Sequence, residues 1–274
     1  MDLGVEIDLG IEMDKGLESD MKWAVTTIDI NCDLGEGSSE ADCAHDARLM
    51  QFISRCNIAC GGHAGDTTTM TLSLRNAREA GIAAGAHPGY PDRKNFGRVS
   101  MDLPRDHLLF SVREQIQALQ KLAATEQVTL SHIKLHGALY NDAEASDELA
   151  EDLVQLIARE FPDLTILALA NAALERAAKK FRHPVLREGF MDRRYLNDHR
   201  LSPRAMSGAV IEDFEQCLQQ VLALATGQPF SSVEHKPLQF SVDSICLHGD
   251  NPQAVSIAEK LEQSLLRAGI RIWR

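Results

Sequence analysis

The chain has 274 residues, 44% hydrophobic and 25% charged, with a formal net charge of −12. That length suits a single α/β barrel, the balance excludes a membrane protein, and a surface of this sign repels phosphate backbones, so nucleic acid is not an expected partner. Half of the charge excess sits in Met1–Asp20, with seven carboxylates against one lysine.

Residues 1–22 read as an acidic N-terminal extension expected to be disordered, and residues 23–274 as one barrel domain. The start has no basic segment followed by an apolar run and a small-residue cleavage site, which makes the cytoplasm the expected compartment. Six cysteines without CxxC pairs read as reduced packing thiols.

From Thr26 onward, short apolar runs alternate with segments of helical period, the pattern of β-α units around a parallel sheet. Strands are expected at Thr27–Cys32, Asn57–Cys60, Ile82–Ala86, Val128–Leu135, Leu164–Leu169, Pro184–Arg187 and Asp243–Leu247. Leu108, Val112, Ile116, Leu119 and Leu122 mark a helix after Pro104. Two more run from Phe214 to Ala225 and from Ala254 to Ala268, each followed by a glycine stop. Glu188–Ser207 is long, polar and unpatterned, and reads as a functional loop over one end of the barrel.

In such barrels the reacting groups gather at the C-terminal strand ends. Here those ends read IDINCDLGEG, NIACGGHAGD, AAGAHPGYPD, HIKLHGALYN, VLREGFMDRR and SICLHGDNP. Residues two apart on a strand share a face, so Asp29, Asn31 and Asp33 should point inward. His63, His87, the pair Lys134 and His136, and the set Cys246, His248 and Asp250 should join them. A single histidine or aspartate at a strand end is usually a cap or a satisfied buried group. Several converging ionisable groups are costly to bury unless they are paired or functional.

Asp33, His63, Lys134 and His136 are therefore the expected catalytic groups, with Asn31, Glu36, His87, Arg193, Arg204, His248 and Asp250 as expected substrate-binding groups. Asp33, His63 and His136 also suit a hydrolytic divalent ion with open positions, against a metal-free account in which Asp33 or a histidine moves protons. No GxxxxGK[ST] segment occurs, no GxGxxG follows a strand, and there is no G-x-S-x-G elbow.

At DINCDLGEG (29–37), NIACGGHAGD (57–66), GAHPGYPDRKNFGR (85–98), IKLHGALYN (133–141), REGFMDRRY (187–195) and SICLHGDNPQAV (244–255) the chain resembles the bacterial LamB/YcsF family of 5-oxoprolinase A subunits. It departs from that pattern at Gly62, where the family often has Phe, and at Leu135, where it has Pro. The resemblance implies a (β/α)7-type barrel similar to polysaccharide-deacetylase-like folds. It also implies ATP-dependent cleavage of 5-oxoproline to L-glutamate, ADP and phosphate, with ATP as its magnesium complex and subunits B and C as partners. On that footing the mouth takes the lactam or its phosphorylated form, Asp33 or His63 is the base, Lys134 and His136 stabilise oxyanion charge, and Arg193 or Arg204 pairs the substrate carboxylate. Two alternatives stand beside it: a metal-dependent amide or sugar deacetylase-like hydrolase, and a noncatalytic binding subunit of the complex.

Overall fold

A computed structural model describes residues 26–249 and 253–274; the expectations for the acidic extension and for Asp250 lie outside them. The strands are β1 (Thr26–Leu34), β2 (Arg55–Ala59), β3 (Ala83–His87), β4 (Leu130–Lys134), β5 (Thr165–Leu169), β6 (Val185–Phe190), β7 (Phe230–Ser231), β8 (Pro237–Leu238), β9 (Ser244–Leu247) and β10 (Ile270–Ile272). The helices are α1 (Glu40–Leu49), α2 (Thr67–Ala80), α3 (Arg105–Thr125), α4 (Gly137–Ala145), α5 (Asp147–Glu160), α6 (Ala173–Phe181), α7 (Phe214–Thr226) and α8 (Ala254–Arg267).

Strands β1 to β6 pair in sequence, β6 pairs with β9, and β9 pairs back to β1, closing a parallel barrel of seven strands. All seven expected strands are present, so the fold class is the (β/α)7 barrel. Strand β10 extends the sheet beside the first residues of β1, with Thr26 opposite Ile270, and β7 and β8 form a separate antiparallel hairpin. These short pieces carry too few residues for a period to show in the sequence.

On β1 the alternation sorts the two faces. Ile28, Ile30, Cys32 and Leu34 turn outward into the apolar layer shared with the helices, while Asp29 and Asn31 are buried on the barrel side. Barrel interiors of this architecture are usually filled by branched apolar side chains. This one is largely polar, which explains why its strands alternate instead of reading as the continuous apolar runs of doubly covered parallel sheets.

The lower layer holds Asp29, Arg55, His132 and Ser244. Arg55 Nε donates to Asp29 Oδ2 at 2.7 Å, Ser244 Oγ donates to Asp29, and Asn31 Nδ2 donates to Ser244 Oγ at 2.9 Å. Asn57 bridges upward, donating to Asn31 Oδ1 and Asp33 Oδ1 at 2.8 Å each, while its own carbonyl meets His132 Nε2 at 2.7 Å. Gly85 leaves the space the His132 ring occupies, since a Cβ there would overlap the ring. Trp273 closes the bottom, with the Arg55 guanidinium 5.7 Å from its ring centre.

Helix ends follow ordinary rules. Asp66 caps α2 in a capping box with Thr69, and Gly81 ends the helix at φ +69°. Helix α3 begins at Arg105 with Pro104 in the cap position, and α7 ends at Gly227, in the left-handed region. All six cysteines are buried and free. Among the described residues no helix is long and apolar enough to cross a membrane.

Candidate active site

The C-terminal strand ends open into a cavity of about 610 Å³, a size suited to small-molecule ligands. At its base Lys134 reaches across the barrel from β4. Its Nζ lies 2.9 Å from Asp33 Oδ1, 2.8 Å from Glu188 Oε1, 3.0 Å from Asn31 Oδ1 and 3.1 Å from Cys246 Sγ. Burial opposes a charge on this amine, but Asp33, Cys246 and Glu188 more than reverse that and hold the ammonium well above its ordinary range. Burial also disfavours charge on Asp33, yet His87 and Lys134 pull its carboxyl well below the usual carboxylate range. Tyr140 donates to the other oxygen of Glu188 at 2.8 Å.

Beside this ion pair, Glu36, His63, His87 and His136 bring one ligating atom each to within 4.8 Å of one another. Glu36 Oε1 is 3.0 Å from His63 Nε2, 3.1 Å from His136 Nδ1 and 3.9 Å from His87 Nε2. Burial would raise the Glu36 carboxyl, but the adjoining His136 and His63 rings lower it to about 2. His63 and His136 stack with centroids 3.5 Å apart. Gly97, at φ +61°, admits the pair, because a Cβ there would lie 2.8 Å from His63 Cβ and 3.0 Å from His136 Cδ2.

The outward nitrogens fix the inward ones. His87 Nδ1 faces the Lys134 carbonyl at 2.8 Å and His136 Nε2 faces the Phe96 carbonyl at 2.9 Å. A carbonyl only accepts, so both of these nitrogens carry hydrogen. The remaining nitrogens, His87 Nε2 and His136 Nδ1, then point at each other across 3.0 Å. Two lone pairs at that distance repel unless one ring takes a second proton or a cation lies among the four groups. Asp33, with Oδ2 3.4 Å from His87 Nε2, favours the protonated ring: burial lowers His87, and Asp33 outweighs it to leave the net shift upward. His63 is pushed down to about 4, chiefly by burial, and its Nδ1 has no hydrogen-bond partner among the described residues.

The opposite wall comes from the loop after β6, where the sequence pattern indicates a functional loop. Short bridges pair Arg193 with Val210 and Tyr195 with Leu201. Arg193, 5% exposed, donates through Nη2 to the Ser202 carbonyl at 2.6 Å, and its Nε is unpaired among the described residues. Burial and then Arg204 lower its guanidinium to about 10. Arg204 Nη2 lies 3.0 Å from His248 Nε2, and His248 Nδ1 lies 2.7 Å from Asp192 Oδ1.

Asn31, Asp33, Glu36, His63, His87, Lys134 and His136 thus form one connected group, and Arg193, Arg204 and His248 face them across the mouth. The ligating set differs from the expected Asp33, His63 and His136. Glu36 and His87 join the two histidines, while Asp33 Oδ1 is engaged by Lys134 and Asn57. Glu188 and Asp192 escape the sequence reading because β6 runs on to Phe190, three residues beyond the expected end. Counting by twos from Glu188 through Phe190 to Asp192 would find both. The Gly62 departure has a local cause, since Gln115 fills the space where a Cβ would go, binding Gly89 through both its carbonyl and its amide.

The LamB/YcsF family model matches residues 28–274. The A subunit of 5-oxoprolinase from Neisseria meningitidis serogroup B is 39% identical over 245 residues, 89% of this chain and 98% of the relative. Its counterpart from Erwinia tasmaniensis is 40% identical over 245 residues, with the same coverage. Among solved structures, the lactam utilization protein from Thermus thermophilus is 31% identical with a TM-score of 0.82, covering 90% of this chain and 98% of that one.

Proposed function

The chain belongs to the LamB/YcsF family, and from that premise we propose that it opens 5-oxoproline to L-glutamate as the A subunit of an ATP-dependent 5-oxoprolinase. The observation that carries this reading is the convergence of Asp33, Lys134, Glu36 and His136 on one cavity, with His63 and His87 buried in contact with Glu36 and His136 behind them, in a chain so similar to proteins named as the A subunit of 5-oxoprolinase.

A five-membered lactam is a resonance-stabilised amide that recloses readily, so opening it needs activation. Phosphorylation of the lactam oxygen by ATP, as its magnesium complex, supplies that and releases ADP. Subunits B and C are the proposed site of this step, since this chain has neither a Walker-type nor a dinucleotide phosphate loop. Water then attacks the activated carbon, the ring C–N bond breaks, and the nitrogen takes a proton. A second water releases phosphate from the resulting acyl phosphate and leaves the glutamate side chain.

In this scheme His63, neutral because burial lowers its pKa, is the better base, and Asp33 is the weaker one because its charge is already stabilised by Lys134. Lys134 and a protonated histidine face the oxygen that gains charge, and Arg193 or Arg204 pairs the substrate carboxylate. Asn31 holds Lys134, and His248 holds Arg204. The cytoplasm, where six buried thiols stay reduced, is the compartment this reading assigns.

Glu36, His63, His87 and His136 are also a chemically apt donor set for a divalent metal, because the hydrogen bonds to the Lys134 and Phe96 carbonyls aim His87 Nε2 and His136 Nδ1 at a common point. Bound there, a metal would supply Lewis-acid polarisation and a more acidic water. That donor set favours a second reading, a metal-dependent deacetylase-like hydrolase. Glutamate and ADP assays with the purified chain alone and with both partner subunits separate the two. Turnover in the full mixture alone is the expected result. Chelator-sensitive amide hydrolysis by the lone chain, without ATP, would replace it with the metal hydrolase.

A further inference from the structure

Ring opening as set out above leaves one buried polar pair at the cavity without a role, Tyr140 and Glu188. Tyr140, 4% exposed, lines the cavity from α4 and donates its hydroxyl hydrogen to Glu188 Oε2 at 2.8 Å. Its ring is held by an edge contact with Phe190, centroids 5.9 Å apart. The other oxygen of the same carboxylate lies 2.8 Å from Lys134 Nζ. One buried carboxylate therefore sets a phenol and an ammonium side by side, and it fixes their polarity as well. A carboxylate only accepts, so the phenol hydrogen is committed to Glu188 and the Tyr140 oxygen keeps a lone pair, with no donor to it among the described residues. Lys134 only donates. Its four acceptors include the Cys246 thiol at 3.1 Å, the weakest of them and the first to give up an N–H to a stronger acceptor. The carboxylates that line the cavity are engaged elsewhere. Asp142 accepts from Tyr90 and Ser100 at 2.8 and 2.9 Å, Glu144 accepts from the Leu169 and Leu174 N–H groups at 2.8 and 3.1 Å, and Asp33 and Glu36 meet Lys134 and the histidines.

We propose that Tyr140 is the specificity-determining residue for the ring nitrogen: its oxygen accepts the lactam N–H while Lys134 faces the lactam oxygen, so the site selects secondary lactams over lactones and N-substituted lactams. The proposal rests on the 5-oxoprolinase reading and adds to it the group that reads the nitrogen. A five-membered ring forces its amide to be cis, so C=O and N–H leave from one edge, an acceptor beside a donor. The donor and the lone pair that Glu188 holds together are the complement of that edge. A lactone of the same shape puts an oxygen lone pair where the N–H was, and two lone pairs then meet at Tyr140. An N-methyl group collides with the phenol oxygen. A site built to bond an N–H rejects an analogue lacking it more sharply than an apolar pocket rejects an isostere. The same contact keeps the hydrogen on nitrogen while the lactam oxygen is activated, which leaves the ring carbon more electrophilic toward water.

The test is calorimetry on the purified chain with three ligands of one shape: 5-oxoproline, the lactone that carries oxygen in place of the ring N–H, and N-methyl-5-oxoproline. The native chain should bind the lactam at least tenfold tighter than either analogue. Tyr140→Phe, which keeps the ring and its packing, should weaken lactam binding, leave or improve lactone binding, and bring the two within about twofold. Tyr140→3-fluorotyrosine, which keeps the bond to Glu188 and makes the oxygen a poorer acceptor, should narrow the ratio part-way. Lys236→Gln, on the exposed hairpin, should leave it unchanged. A purely structural tyrosine would instead lower all three affinities by one common factor. Three outcomes overturn the proposal: equal affinities in the native chain, no measurable lactam binding, and a lactam-to-lactone ratio that both Tyr140 variants leave intact. Glutamate formation by the three-subunit mixture is scored separately. If glutamate forms while the ratio ignores Tyr140, the nitrogen assignment is wrong and the function stands; if the ratio depends on Tyr140 while no glutamate forms, the activity is wrong and the lactam-reading pair stands.

Discussion

At the floor of the barrel, Asp29, Arg55, Ser244, His132, Asn57 and Asn31 form a chain of hydrogen bonds in which each polar group is answered by another, under the cover of Trp273. At the mouth, a few ångströms of strand further on, the same residue types are answered on one side and face a cavity on the other. His63 Nδ1 and Arg193 Nε have no partner among the described residues, and two histidine nitrogens point at each other. A polar barrel interior is therefore not in itself an active site. A satisfied network specifies structure, whereas an incompletely satisfied one beside a cavity is where a ligand, proton or ion belongs.

Substitutions should separate the two ends. Glu36→Gln or His136→Ala, in the assembled complex, should cut glutamate formation by roughly a thousandfold or more, within the range of lost acid-base and oxyanion groups, while the melting temperature of the chain moves little. Comparable turnover in either variant would place the chemistry elsewhere.

Arg55→Ala is the mirror case. It leaves Asp29 buried without its cation and should cost about 3–5 kcal/mol of stability in chemical denaturation, with turnover per folded molecule retained. A stable variant with lost turnover would show that the floor takes part in the reaction.

The inward alternation is legible because β1 writes it out plainly as Asp-Ile-Asn-Cys-Asp, and the strand-end histidines follow from the same count. The lining wall is only partly legible. Arg193 and Arg204 lie in a loop without a period, and Glu188 falls at a strand end that apolar patterning cuts short, because its inward face is polar. The unfavourable meeting of His87 and His136 cannot be read at all, since it depends on two backbone carbonyls, of Lys134 and Phe96, that a sequence pattern does not place.

A smaller effect probes the seam between mouth and helix layer. Burial raises Asp46 to about 6, although its carboxylate accepts from the Gly35 N–H at 2.9 Å. The folded state then holds a proton that the unfolded state releases at about pH 4, so this group lowers stability as pH rises from about 4 to about 6. Asp46→Asn keeps an acceptor for Gly35 and removes that loss. Its melting temperature should gain on the native chain by a few degrees between pH 4 and pH 7, and a constant difference across that range would refute the assignment.

The most direct test is the ratio of glutamate to ADP made by the three-subunit mixture carrying Asp33→Asn in this chain. With lactam opening in this mouth and ATP use in the partners, glutamate should fall by orders of magnitude while 5-oxoproline-dependent ADP release persists for at least the first turnover. Unchanged glutamate formation, with the usual one-to-one ADP, would contradict that division of labour.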